Sequence, residues 1–141
     1  MSISFIKKNK TSIKFFLLKT NHITCKININ GVEGVFLIDS GASNSCIDIN
    51  HNKKFNLEKY KKSYSASGAA KGKFDVSKSK KAQISHEEKN IEKLNFLLID
   101  MTSINNALKE SDNISIDGIL GADFLIKKNA LISYSAMTLT F

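Results

Sequence analysis

At 141 residues the chain is long enough to bury one core without disulfide or metal staples, and too short for two ordinary domains. Its formal charge is +8, from 21 cations against 13 acids, and every cation is lysine; arginine, proline and tryptophan are absent. Without arginine, the usual bidentate reader of guanine, and without any helix-turn-helix, zinc-finger or RNA-recognition signature, no specific nucleic-acid binding is expected, and the lysines read as a solvated surface.

The charge is uneven: residues 1–20 carry five lysines and no acid, and residues 51–82 carry ten lysines against Glu58 and Asp75. Cys25 and Cys46 form neither a C-x-x-C motif nor a metal spacing, and read as buried free thiols of a reducing compartment. The lysines at 7, 8 and 10 precede only the short apolar run Phe15–Leu18, and no small-residue cleavage site follows. No signal peptide is expected, and no run approaches the roughly 20 apolar residues of a membrane-spanning helix. The expected location is the cytoplasm, with no membrane contact.

Residues 1–19 read as an N-terminal extension or first strand, and residues 20–141 as the folded domain. Residues 22–30 alternate apolar and polar in their later half, as a strand with one buried face does. Asn30-Gly31 is a tight-turn signal, and Val32 to Ile38 return as the second arm of a hairpin that delivers Asp39 at its end. Cys46, Ile47 and Ile49 are expected inside, with a short helical turn around Phe55 and Leu57. Residues 63–73, small and polar between Tyr64 and Phe74, form a loop or hairpin tip. Strands are predicted over 80–85 and 91–99, and a helix over Asp100 to Glu110 with Thr102 or Ser103 as its cap. Ile116 to Leu120 is a further strand, and Gly121 to Asn129 a helix ended by Asn129. Ala130–Tyr134 and Met137–Phe141 close the chain as two short strands around Ser135-Ala136.

Two segments carry chemistry. Hydrolysing a peptide bond without metal or covalent intermediate needs a base for the water and an acid for the carbonyl oxygen. Two carboxylates about 3 Å apart supply both, because they cannot both ionise and so share a proton. Asp39 at a strand end, followed by Ser40, Gly41 and Ala42, supplies one of the pair: Gly41 permits close backbone approach and Ala42 leaves room for substrate. Asp-Ser-Gly alone also makes ordinary turns; the weight comes from a second apolar run, Gly118-Ile119-Leu120-Gly121, some 80 residues on.

Taken in order, Asn30-Gly31, the run Phe36-Leu37-Ile38-Asp39-Ser40-Gly41-Ala42-Ser43, the segment Ser67-Gly68-Ala69 and the run Asp117-Gly118-Ile119-Leu120-Gly121-Ala122-Asp123-Phe124-Leu125 resemble the retropepsin-like aspartic proteases, in particular their single-lobe bacterial versions. The resemblance spans about residues 20–141. It implies an all-β fold, a single closed β lobe with one or two short helices, in which the strand of Ile119, Leu120 and Gly121 threads beside the Asp39 loop. It also implies a homodimer in which Asp39 of each subunit is catalytic and the attacking water lies between the two carboxylates. Ser40 would hydrogen-bond across the axis, and Ser67, Gly68 and Ala69 would form a flap that closes over an extended peptide. No cofactor and no metal are implied. Viral members pair an acid after the first motif with an arginine after the second glycine; here those positions are Ser43 and Ala122, so that dimer lock is missing.

The remaining candidates have plainer readings. His22, His51 and His86 stand in no nucleophile motif and read as surface or partly buried histidines. Asp117 and Asp123 read as contacts to substrate or to the catalytic loop, or, for at least one of them, as a helix N-terminal or turn-capping carboxylate. Tyr64 either stacks on substrate or packs at the base of its hairpin, and Lys71 and Lys73, if on the flap, bias the cleft toward acidic or polar peptides. The function so read is aspartic endopeptidase activity with an acidic to near-neutral optimum. The alternative is a catalytically silent peptide-binding or dimerisation module on the same fold, and a lysine-driven nucleic-acid binder comes third.

Overall fold

A computed structural model describes residues 10–60, 64–66 and 74–141. Its central unit is the hairpin of β2 (Ile23–Ile29) and β3 (Val32–Ile38), in register from Ile29 opposite Val32 to Ile23 opposite Ile38. Asn30 and Gly31 both hold positive φ, 50° and 81°, the two left-handed residues that a two-residue hairpin loop needs to match strand twist. Strand β1 (Ser12–Leu17) lies antiparallel on the other side of β2.

Beyond the hairpin, β4 (Cys46–Asp48) runs into a single 3-10 turn at Ile49–His51, earlier than the turn expected around Phe55. β5 (Tyr64–Ala66) pairs with β6 (Phe74–Lys78), and β7 (Ala82–His86) with β8 (Lys89–Leu94). The single strand expected over 91–99 is two, because β9 (Leu97–Ile99) is set off at Asn95 and Phe96. There Ser79 takes over the backbone: its N–H donates to the Phe96 carbonyl, its Oγ accepts the Phe96 N–H, and its carbonyl accepts from the Asn95 side chain. Helix α1 (Thr102–Asp112) follows, then β10 (Gly118–Leu120), helix α2 (Ala122–Lys127), β11 (Leu131–Ser133) and β12 (Thr138–Thr140). Neither Thr102 nor Ser103 caps α1; Asp100 accepts the Thr102 N–H instead. Asn129 does mark the end of the α2 segment, in the left-handed conformation (φ 49°).

The sheet order is β11-β12-β1-β2-β3-β10-β4-β9-β6-β5, with the β7–β8 hairpin joined to β2. Among the described residues only β3–β10 and β4–β9 run parallel. The fold is the expected mostly-β lobe with two short helices. Among the described residues no pairing joins β11 to β5, so the lobe is a curled open sheet rather than a hydrogen-bonded barrel.

Two cores explain why the run before Asp39 is apolar throughout rather than alternating. Phe36 and Ile38 point into the main core with Phe15, Phe55, Phe96 and Phe124. Leu37, from the opposite face of the same strand, packs with Leu18, Cys46, Met101, Leu108 and Ile116 beneath α1. A strand buried on both faces has no polar side to show. Cys25 and Cys46 are both buried free thiols, and burial pushes each from the usual value near 9 up to about 12.

Gly118 to Ala should destabilise the fold by about 3 kcal/mol or more, read by urea unfolding, because the added Cβ would stand 2.2 Å from the Cys46 carbonyl. The thiols make a second expectation. Both should resist a thiol reagent at pH 8 in the folded chain and react on unfolding. Because the unfolded thiols release protons first, stability should fall as pH rises from about 9 toward about 12, and two cysteine-to-serine changes should flatten that fall.

Candidate active site

Asp39 leaves the end of β3, where the strand is clamped from both sides. Ile38 lies opposite Ile23 of β2 and alongside Leu120 of β10, and the Asp39 N–H donates to the Leu120 carbonyl at 3.0 Å. The chain then turns tightly. The Gly41 N–H donates to Asp39 Oδ1 at 2.9 Å and the Ala42 N–H to the Asp39 carbonyl at 3.1 Å. A Cβ on Gly41 would sit 3.2 Å from that same Oδ1, so glycine lets the amide close on the carboxylate. Asp39, Ser40 and Gly41 are exposed and Ala42 is half-buried. One carboxylate oxygen is thus oriented by the backbone of its own loop, on a face open to solvent.

The second motif comes up beside this loop. β10 threads between β3, parallel to it, and β4, antiparallel to it, so Ile119 lies alongside Leu37 on one side and Cys46 on the other. As the strand ends, the Ala122 N–H donates to the Ala42 carbonyl at 2.7 Å, and a Cβ on Gly121 would lie 2.6 Å from that carbonyl oxygen. Ile119, Leu120 and Gly121 therefore meet the Asp39 loop as a backbone-to-backbone contact, which only a glycine at 121 allows.

A polar tie that sequence reasoning did not single out fixes the two motifs together. Ser45, fully buried, accepts the Gly121 N–H on its Oγ at 2.8 Å and donates its hydroxyl to Asp123 Oδ1 at 2.7 Å. The Ser45 N–H donates to both Asp123 oxygens at 3.0 Å, and Asp123 Oδ1 also accepts the Phe124 N–H at 2.8 Å. Asp123 is thus both an acceptor in the first turn of α2 and a contact to the Asp39 loop, two of the roles considered for it. Ser45 carried no separable signal, since its partner lies 78 residues away.

Asp117 does other work. Its Oδ2 accepts the Val35 N–H at 2.9 Å, and Oδ1 pairs with Lys54 Nζ at 2.9 Å. His51 Nδ1 also comes within 2.9 Å of Oδ1, off the line a hydrogen bond needs. This buried carboxylate straps the start of β10 to β3. His22 meets Thr20 and His86 lies 3.9 Å from Glu87. Burial, with Asp123 and Asp39 as nearby negative charges, keeps the Cys46 thiol neutral, so it is no nucleophile. Among the described residues no three His, Cys, Asp or Glu side chains gather as a metal site. Ser67, Gly68 and Ala69, expected in a flap, and Lys71 and Lys73 lie outside the described residues. The strands on either side pair as hairpin arms, Tyr64 opposite Val76 and Ala66 opposite Phe74.

If the Asp123–Ser45 tie holds the loop, Asp123→Asn should cost roughly 1–3 kcal/mol for each Ser45 donor left unmatched, in chemical denaturation. Ser45→Thr, which keeps the hydroxyl, should cost less than Ser45→Ala; equal losses would point to packing alone.

The chain is similar in fold to a number of solved structures, three of which follow. The EIAV protease in complex with an inhibitor matches with a TM-score of 0.53 at 19% identity, over 94% of this chain and 99% of that one. A retropepsin-like aspartic protease from Rickettsia conorii matches with a TM-score of 0.57 at 14% identity, over 94% and 90%. The retroviral protease-like domain of Ddi1 from Leishmania major matches with a TM-score of 0.56 at 18% identity, over 82% and 84%. At these identities the likeness is one of fold. No curated protein matches the sequence. The family model of the aspartyl proteases matches residues 25–124, from the middle of β2 through both motifs into α2, and the chain belongs to that family.

Proposed function

We propose that the chain is an aspartic endopeptidase that works as a homodimer, with Asp39 of each copy forming the catalytic pair. The observation that carries this is the state of Asp39: an exposed carboxylate at a strand end, one oxygen held by the Gly41 N–H, with its loop tied by backbone to the second motif. The other acid of the two motifs nearest the loop, Asp123, is taken up by Ser45 and Phe124. Of the acids in the two motifs, Asp39 alone keeps a carboxylate oxygen open, and the acid-and-base chemistry of peptide hydrolysis needs two such groups.

In the mechanism this supports, the two copies place their Asp39 side chains together across a two-fold axis, sharing one proton. The ionised member takes a proton from a water between them while the protonated member gives its own to the substrate carbonyl oxygen. The pair titrates as a unit, giving a rise and a fall of rate with pH. Ser40 supplies the hydroxyl that bonds across the axis, Gly41 and Ala42 hold the floor, and Ile119, Leu120 and Gly121 back the loop. An extended peptide lies over this floor, beneath the hairpin whose arms are β5 and β6 and whose tip carries Ser67, Gly68 and Ala69. No cofactor takes part. The described residues contain no helix long and apolar enough to cross a membrane, and the buried free thiols support a reducing, cytoplasmic setting.

Cleavage of a mixed peptide library between pH 4 and 7.5 tests this reading. The native chain should cleave with a bell-shaped pH profile, and Asp39→Asn should lose at least about a thousandfold in rate while keeping its fold. A dimer in which neither form cleaves would favour the silent peptide-binding module instead.

A further inference from the structure

We infer that the chain carries a second binding site, at the end of the β2–β3 hairpin away from Asp39, which takes the carboxylates of an acidic peptide segment. As a docking place for substrate it rests on the peptidase reading above. An open cleft of about 480 Å³ lies there, walled by Asn30 of the hairpin turn, by Asn56, Leu57 and Glu58, and by Lys80 and Lys81. Asn30 stands before β3 and Asp39 after it, so seven strand residues, roughly 23 Å at about 3.3 Å each, separate the cleft from the Asp39 loop. Neither the Asp39 run nor the Gly118 run contributes to its walls.

The walls are fixed by the chain's own hydrogen bonds. The Asn30 side chain is spent on them: Nδ2 donates to the Phe55 carbonyl and Oδ1 accepts the Gln83 N–H, both at 2.9 Å. Asn56 holds a left-handed φ of 52°, which asparagine accepts, and the Leu57 N–H closes onto the Asn52 carbonyl at 2.9 Å. The Lys80 N–H donates to the Glu58 carbonyl at 2.7 Å and the Tyr60 N–H to the Lys78 carbonyl at 3.0 Å, which joins two sides of the cleft. What the side chains then offer is cationic. Lys80 Nζ lies 3.2 Å from Glu58, an exposed pair that holds little energy and exchanges readily for a carboxylate from outside. Lys81 is exposed, and among the described residues no acid pairs with it. Glu58 marks the place an incoming carboxylate takes.

Charge selects the occupant. Residues 51–82 hold ten lysines against Glu58 and Asp75, whereas the rest of the chain beyond residue 20 holds six lysines against eleven acids. A positive field gathered around one cleft steers acidic segments to it. Nucleic acid fits less well: the chain has no arginine, and of the described aromatic side chains in that stretch only Tyr60 is exposed, where a strand of bases stacks on several. Half-buried Leu57 offers the peptide an apolar contact beside the lysines. The cleft also lies at the root of the β5–β6 arms, since the pairing of Glu58 with Lys80 continues through Lys59 opposite Ser79 to Tyr64 opposite Val76. A substrate anchored there runs along the hairpin that the proposed mechanism lays over the peptide.

Fluorescence anisotropy of a labelled hexaglutamate peptide with the full chain, beside Lys81→Glu and Lys26→Glu, tests the site. Both lysines are exposed and both variants lose the same charge, so circular dichroism should show both folded. The native chain should bind the peptide and release it as salt is raised; Lys81→Glu should weaken binding about tenfold and Lys26→Glu no more than about twofold. Equal losses in the two variants, or no binding by the native chain, overturn the site. Tighter binding of an oligothymidylate, lost in Lys81→Glu, would give the cleft to nucleic acid and overturn the acidic peptide. In cleavage, a glutamate block placed about eight residues from the cut, enough to span the separation, should lower KM about tenfold with kcat unchanged, and Lys81→Glu should abolish the gain. Cleavage indifferent to the block overturns this inference and leaves the peptidase reading standing. Binding at Lys81 with no peptide cleaved supports the anion site and counts against the peptidase.

Discussion

The structure hangs on one close passage: β10 slips between β3 and β4 with no side chain at either end. Gly118 leaves space for the Cys46 carbonyl and the Phe36 ring, and Gly121 for the Ala42 carbonyl. A strand inserted between two others in this way borrows hydrogen bonds from both, so its position is over-determined. Everything that orients Asp39 follows from it. The Asp39 N–H bonds to Leu120, the turn at Gly41 closes on the carboxylate, and the carbonyl of Ala42 receives the next amide of the inserted segment. The glycines are required by backbone approach and not by left-handed conformation, since neither holds a positive φ.

The acids of the two motifs show how environment assigns roles to identical side chains. Asp39 keeps one oxygen oriented and its surface open. Asp123 is consumed by three donors from Ser45 and Phe124, and Asp117 by the Val35 amide and Lys54. A carboxylate withdrawn from water is stable only when such donors meet it; buried Asp117 and half-buried Asp123 have donors to both oxygens, while exposed Asp39 has the Gly41 amide on one oxygen and solvent for the other. The missing arginine fits this arrangement. A chain that lacks an acid at 43 and an arginine at 122 fixes its loop from within, through a carboxylate, a hydroxyl and an amide of one subunit.

Legibility in the sequence followed the range of the interaction. The hairpin was readable because its information is local: Asn30-Gly31 states its turn type, and alternation on one arm states its buried face. The apolar run before Asp39 marked a strand, but its burial on two faces needed α1, which covers Leu37 from some 70 residues away. The stretch 91–99 read as one strand because hydrophobic pattern cannot see Ser79 intercepting the backbone at Phe96. The helix cap was misplaced by the same blindness, since Asp100 competes with Thr102 within three residues. Ser45 was invisible for the strongest version of this reason: a serine among serines, given its role by a carboxylate that only the folded chain brings near. The meeting of the two motifs was legible only through their joint spacing.

An open sheet leaves backbone hydrogen-bonding groups at its edges. Had the lobe closed on itself by hydrogen bonds, every strand edge would be spent and a second copy could be held only by side chains. Because among the described residues the sheet runs from β11 to β5 without closing, the backbone there has capacity left over at its ends. One end carries the paired arms β5 and β6, and the other carries a short uncharged strand in which Leu131 is exposed.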